Sequence, residues 1–466
     1  MHYHDMTIEA SNATLERTPD KQRIGTFGVR VLGSPAGEMK PEEAAPISYD
    51  DKQLQLALAQ LEHRLLDQAG LIALGRQLAG WLLPPKIEGG ATGVRELFAA
   101  SLAQIGPDDG LRLRLRLPPQ LAALPWEYIY VDQAGGGDGM DGFLALDPRV
   151  AIVRHEALAA PDSLPPTTGA LKVVAALASA EGLPPLNLAR EQADLQQAFA
   201  GQEGITPLFL TDATLDEVQS AIAGAAIFHF AGHAMFSREM TDLPGTYSGV
   251  GSLALYDQAV NAEQLGINLR GNGVRLAVLG GCETGRRDGV NAWSGIAPAL
   301  IKQQIPAVIA NQFPIDDACA IAFSKQLYAS LVGGLPIERA VAAGRIAAYN
   351  ADPTGCDWGV AVLYLRDADG VLFGGAADEH VRQQAADQAH AVMNVRVEEL
   401  TAGGHIAGVK GTVGKGSLES TITVGTATDS EIDGAKLNVT GGDVKTDINV
   451  GKTEGKTTIE AGEITL

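Results

Sequence analysis

The chain has 466 residues, a net charge of −21, 45% hydrophobic residues and 20% charged ones. These values fit a globular protein with room for more than one packed unit, and they argue against nucleic acid or an anionic membrane surface as the main partner. Three cysteines, an N-terminus without a basic-then-apolar leader and no apolar run of spanning length give no sign of a disulfide framework, a secretion signal or a membrane span. A reducing cytoplasm is therefore the expected setting.

Residues 1–24 are polar and without clear period, and are expected to form a flexible leader. Val29 to Leu32 reads as a first strand. Leucines recur at helical spacing between Asp51 and Leu83, where Pro84-Pro85 ends the helix, and a second helix is predicted from Val94 to Ile105. Leu111-Arg-Leu-Arg-Leu-Arg-Leu117 alternates with period two, which predicts a strand with leucines inward and Arg112, Arg114 and Arg116 solvated. The Gly-rich loop from Gly135 to Gly142 lacks the ligand spacing of a calcium loop. Phe143 to Arg154 returns to strand, and Pro161 to Thr168 reads as a boundary.

Beyond that boundary, strands and helices alternate. Strands are predicted at Leu171–Leu177, Ile205–Leu210, Ala226–His233, Ser252–Tyr256, Leu276–Cys282, Ala307–Asn311 and Trp358–Leu365. Helices are predicted at Leu188–Phe199, Thr214–Ile222, Asn291–Lys302, Asp316–Leu331 and Pro336–Tyr349. This order predicts an α/β fold, a mainly parallel sheet sandwiched by helices. From Ala376 the composition shifts. A linker helix is expected over 376–394. Residues 395–466 hold no Trp, Tyr or Phe, and short Val, Ile and Thr-rich pieces recur every ten to fifteen residues or so. That pattern predicts an all-β, solenoid or roll-like tail, a candidate for recognition or self-association.

Two strands end in reactive side chains: Ala226-Ile-Phe-His-Phe-Ala-Gly-His233 and Leu276-Ala-Val-Leu-Gly-Gly-Cys282-Glu-Thr-Gly285. Ligands of open α/β sheets bind at the carboxyl ends of the strands, so an imidazole and a thiol there share one rim. A thiolate from Cys282 is a nucleophile, and His233 can take its proton and return it to a leaving amine. A histidine about 50 residues upstream of the cysteine is the caspase arrangement. Gly280 and Gly281 leave room for a substrate carbonyl, and the backbone N–H of Cys282 with one just after His233 forms an expected oxyanion hole. His229, four residues before His233, points to the same side of its strand and is expected to support the strand end. Zinc on His229, His233 and Cys282 lacks a fourth ligand, so neither metal nor cofactor is expected.

His229-Phe-Ala-Gly-His233 with Val278-Leu-Gly-Gly-Cys282-Glu-Thr-Gly285 resembles the CHAT family of caspase-like cysteine peptidases, relatives of separase. Phe27-Gly-Val-Arg-Val-Leu-Gly-Ser-Pro-Ala-Gly37, Leu121-Ala-Ala-Leu-Pro-Trp-Glu127 and Trp358-Gly-Val-Ala-Val-Leu363 extend the likeness over residues 25–375. The resemblance implies a pseudo-caspase-like α+β half over 25–165 and a catalytic domain over 166–375. It also implies an endopeptidase acting on specific protein partners, as bacterial relatives do in defence or programmed-death circuits. Asn311-Gln-Phe-Pro-Ile-Asp316-Asp317 resembles the separase segment whose acid lines the primary specificity pocket. Asp317 is the better match and Asp316 the second, which implies Arg or Lys before the scissile bond. The family usually has Gly after the dyad histidine; here it is Ala234, whose amide still serves the oxyanion. Glu283 is typical of the family and is expected to orient its loop. Two alternatives stand beside this reading: a non-proteolytic scaffold whose tail mediates binding or assembly, and a self-processing effector cut near Lys410 or Lys415.

Overall fold

The structure, a computed structural model, describes residues 2–20, 22–86, 93–132, 139–156, 158, 169–183, 185–240, 247–280, 293–366, 370–374, 390–400, 405–413, 417–428, 431–439, 443–454, 458–460 and 463–465. Residues 1–376 and 377–466 form two compact units.

The first unit opens with strands β1 (Tyr3–Arg17), β2 (Arg23–Gly33) and β3 (Ala45–Asp50), then helices α1 (Asp51–Glu62), α2 (Gln68–Leu82) and α3 (Val94–Gln104). Next come β4 (Gly110–Arg116), the single turn α4 (Pro119–Ala122), β5 (Val150–Arg154), β6 (Leu171–Ala178), α5 (Leu188–Phe199), β7 (Ile205–Thr211) and α6 (Leu215–Ala221). The chain continues through β8 (Ile227–Met240), β9 (Tyr247–Ala254), β10 (Ala259–Asn261), α7 (Ala262–Gly271), β11 (Leu276–Gly280), α8 (Trp293–Lys302) and β12 (Ala307–Asn311). It closes with α9 (Asp317–Val332), α10 (Ile337–Ala351) and β13 (Ala361–Leu365).

These strands make one sheet: β7-β6-β8-β11-β12-β13-β5-β4-β1-β2-β3, with β9 and then β10 added beside the later part of β8. The pairs from β7 to β12 are all parallel, as are β13–β5, β5–β4 and β4–β1; β12–β13, β1–β2 and β2–β3 are antiparallel. The central strands are apolar runs buried on both faces because helices cover both. One face packs β6, β8, β11 and β12 against α5, α9 and α10 through residues such as Val173, Val278, Phe199 and Leu327. The other packs Val174, Phe228, Ala277 and Val308 against α6, α7 and α8. No helix among the described residues is long and apolar enough to cross a membrane.

Strand β8 changes partners along its length. Up to Gly232 it pairs with β6, in parallel, while its other edge pairs with β11. From His233 onward it pairs antiparallel with β9. Gly232 fits this exchange because a Cβ there would come within 2.9 Å of the Ala178 carbonyl oxygen.

Four expectations for the first unit need correction. Residues 3–17 are strand β1 rather than a flexible leader: Tyr3, Met6, Ile8 and Ala10 are buried between β2 and β4. The single helix from Asp51 to Leu83 is two, separated at Arg64, whose φ of 54° breaks helical geometry. The arginines of β4 do not form a solvated face. Arg112 is 2% exposed and bonds Glu338 of α10 at 2.6 Å, while Arg114 reaches Asp5 at 2.9 Å. Trp358 lies buried in a short 3₁₀ turn before β13, not in the strand. The boundary expected at Pro161 to Thr168 falls outside the described residues.

The second unit contains β14 (His390–Leu400), β15 (His405–Val413), β16 (Ser417–Thr428), β17 (Glu431–Val439), β18 (Asp443–Glu454), β19 (Thr458–Glu460) and β20 (Glu463–Thr465). They alternate between two parallel sheets, β14-β16-β18 and β15-β17-β19 with β20 beside β17. Val395, Ile422 and Ile448 share one register position, as do Ile406, Ile432 and Ile459 in the other sheet. One coil therefore takes about 26 residues, two strands each, the pattern of a solenoid. The linker helix expected over 376–394 gives way to strand from His390; its earlier part lies outside the described residues.

Candidate functional site

Parallel strands β8, β11 and β12 are neighbours, and their carboxyl ends reach one rim at Ala231, Gly280 and Asn311. Side chains at alternate positions face the same helices, so His229 of β8, Val278 of β11 and Ile309 of β12 all turn towards α5 and α9. Between this sheet edge and the N-terminal ends of the two helices lies a cavity of about 320 Å³. Its walls are apolar at Val278, Ile309, Leu195 and Phe323, and it is lined as well by Glu191, Asp194, Asp316 and Asp317.

His229 is the one imidazole among the described residues of this lining. It is 4% exposed, and its Nδ1 lies 2.8 Å from Tyr328 Oη of α9. Burial disfavours the charged ring and pushes its pKa down to about 4, so it is neutral at pH 7. The same burial pushes the Tyr328 phenol up and keeps it protonated.

The acids come from two helix starts. Asp316 caps α9, its Oδ1 accepting from the Ala318 N–H at 2.9 Å, while its own N–H donates to Asp357 at 2.6 Å. Asp317 opens the helix and pairs with Arg190 of α5. Glu191 and Asp194 stand three residues apart on α5 and so share a face. Burial, then the charges of Asp194 and Asp317, push the Glu191 carboxyl up. Burial and Asp317 do the same to Asp194, with Arg190 opposing. Arg64, also in the lining, is held by Asp357 through two bonds of 3.0 Å and by the Pro314 carbonyl at 3.3 Å.

The sequence-derived candidates are distributed as follows. His229, Gly280, Asp316 and Asp317 come together around the cavity. His233 lies on the same strand, 2% exposed, at the point where β8 passes from β6 to β9, and Ala234 pairs with Leu253 in extended backbone. Gly281, Cys282 and Glu283 lie outside the described residues. Cys319 and Cys356 are buried and free, their thiols pushed up to about 12 and 11 by burial. Sequence reasoning missed Glu191, Asp194, Arg64 and Tyr328. The i, i+3 acids of α5 were visible, but nothing in the sequence tied that helix to the rim. No group of three or more His, Cys, Asp or Glu side chains among the described residues is placed to hold a metal.

The model of the CHAT domain family matches residues 73–388. Among solved structures, a chain of the Saccharomyces cerevisiae separase–securin complex at 2.6 Å is 10% identical, with 77% of this chain and 30% of that one covered and a TM-score of 0.38. The same complex at 3.0 Å gives 10% identity, 78% and 30% coverage and a TM-score of 0.37. This chain thus spans less than a third of the chains it resembles there. No curated protein matches.

Proposed function

The chain belongs to the CHAT domain family, and on that premise we propose that it is a cysteine endopeptidase with His233 and Cys282 as its dyad. The observation that carries this reading is strand register. Gly280, the last residue of β11, stands beside Ala231 of β8. Cys282 follows Gly280 by two residues and His233 follows Ala231 by two. In sequence, the thiol and the imidazole thus each follow this register pair by two positions.

In the proposed reaction, His233 takes the thiol proton as the Cys282 sulfur attacks the peptide carbonyl, and returns it to the departing amine. The amides of Cys282 and Ala234 receive the oxyanion, with Gly281 leaving space and Glu283 orienting the loop. His229 is a poor candidate for the base, because an imidazole with a pKa near 4 has little affinity for a proton at neutral pH. The carboxylates of Asp317, Asp316, Glu191 and Asp194 favour a basic side chain before the scissile bond. The solenoid unit serves recognition or self-association in this scheme, and protein substrates are the expected partners.

Cys282→Ala and His233→Ala are each expected to lower cleavage of Arg- and Lys-containing peptides by at least about a thousandfold with unfolding transitions unchanged. Turnover at the original rate in Cys282→Ala would overturn the reading. One observation favours a second reading, a non-proteolytic scaffold: His233 is almost fully buried. A thiol-directed probe separates the two. An activated Cys282 labels far faster than the buried Cys319 and Cys356; equal labelling supports the scaffold.

A further inference from the structure

His229 has no role in the proposed chemistry, yet it is built into the cavity with care for one nitrogen and none for the other. Nδ1 meets Tyr328 Oη at 2.8 Å. Nε2 has no hydrogen-bond partner among the described residues, and it sits close to the end of β11, 3.9 Å from where a Cβ on Gly280 would lie. The phenol of Tyr328 is fully buried, and His229 is its hydrogen-bond partner. If Nδ1 carried the ring proton, the phenolic hydrogen would be buried with no acceptor among the described residues, an unfavourable state. With the phenol donating to Nδ1, the proton sits on Nε2, and the cavity gains a fixed, neutral N–H donor.

The chemistry of the lining limits what that donor meets. An anion entering the cavity faces the carboxylates of Glu191, Asp194, Asp316 and Asp317, while the guanidinium of Arg64 in the same lining is already paired with Asp357. An ammonium or guanidinium at Nε2–H would set donor against donor. A neutral carbonyl oxygen satisfies both conditions and leaves any cationic group to the carboxylates. Resting on the peptidase reading, we propose that His229 is a substrate-binding residue. Its Nε2–H donates to a carbonyl oxygen of the bound peptide, and Tyr328 is the positioning residue that fixes the tautomer.

The test uses full-length Cys282→Ala protein with ¹⁵N-labelled histidine and two peptides, one with Arg and one with Gln before the scissile bond. The His229 ring, assigned by its loss in His229→Gln, is expected to show the Nε2-protonated tautomer, with its Nε2–H resonance moving on peptide addition. Movement with both peptides assigns a main-chain carbonyl, and movement with the Gln peptide alone assigns the side-chain carboxamide. An Nδ1-protonated ring, or a resonance that neither peptide moves, overturns the inference. In the cleaving protein, His229→Leu is expected to raise KM about tenfold with little change in kcat, the scale of one lost hydrogen bond. His229→Gln, which keeps an N–H donor, should restore most of that loss, and Tyr328→Phe should fall between. A cleaving protein whose KM ignores all three substitutions refutes the role of His229 and leaves the peptidase reading intact. A wild-type protein that cleaves nothing refutes the peptidase reading, and the resonances then decide the inference alone.

Discussion

Two buried polar clusters in the first unit are built on opposite principles. One lies where the halves of the sheet join, a seam at which β13 and β5 pair through Leu363 with Val153 and Tyr364 with Arg154. There Arg154 bonds Glu127 at 2.8 Å, Gln312 donates to the same carboxylate oxygen at 3.0 Å, and Arg345 donates to the Ala361 carbonyl at 2.8 Å. Glu127 is 0% exposed and Arg154 3%. The other cluster is His229 with Tyr328, neutral and open to a cavity on one side. Full charges inside a protein need fixed partners, and those of the seam are paired with one another, although Glu127 Oε1, Arg154 Nε and Nη1 and Arg345 Nε find no hydrogen-bond partner among the described residues. A neutral pair carries a smaller desolvation penalty, so it can leave one hydrogen-bonding atom free. The seam joins the two halves of the sheet, and the cavity presents a hydrogen-bonding atom.

Breaking the seam is expected to have the largest effect. Glu127→Ala leaves Arg154 as a buried, unpaired charge and should cost about 3–5 kcal/mol, read from urea unfolding. The double substitution Glu127→Met with Arg154→Met should recover most of that loss if unpaired charge is its cause.

The neutral cluster should show itself through pH. His229 and His155 are both held down to about 4, each mainly by burial, with Arg114 and Arg116 adding to the effect on His155. Their ordinary value is 6.5, so between about pH 6.5 and 4 the unfolded chain binds more protons than the folded one. This contribution is complete above pH 6.5 and is lost as pH falls towards 4, with a slope of up to about 1.4 kcal/mol per pH unit for each histidine. His229→Gln should remove roughly half of that slope, measured by unfolding at pH 5 and pH 7. Tyr328→Phe is expected to cost about 1 kcal/mol at pH 7, one buried hydrogen bond. Arg190→Gln, which removes a partner of Asp317 from an exposed pair, should change stability by no more than about 0.5 kcal/mol in the same assay.

The sequence was most legible where burial is two-sided. The runs ending at His233 and Gly280 read as central strands because parallel strands covered on both faces have no polar alternation. The period-two rule likewise places His229 and His233 on one side of β8. Alternation misled at β4, since it reports that two faces differ and not which of them is wet. Glu338, 226 positions away on α10, takes the place of water beside Arg112. Strand β1 was hidden for a related reason: its few apolar residues acquire meaning when β2 and β4 lie beside them. At the cavity, the acids of α9 follow from a helix start directly after a strand end. Tyr328 does not, because its partner lies 99 positions earlier and no local pattern links a phenol to an imidazole at that range.

The exchange of partners along β8 gives that strand a mechanical character. Its lower part is clamped between β6 and β11, while from His233 onward it pairs with β9, itself paired with β10, so His233 sits where one set of neighbours gives way to another. A substitution that disturbs the pairing of β8 with β9 therefore acts on the backbone that carries His233, although it lies outside the parallel core of the sheet.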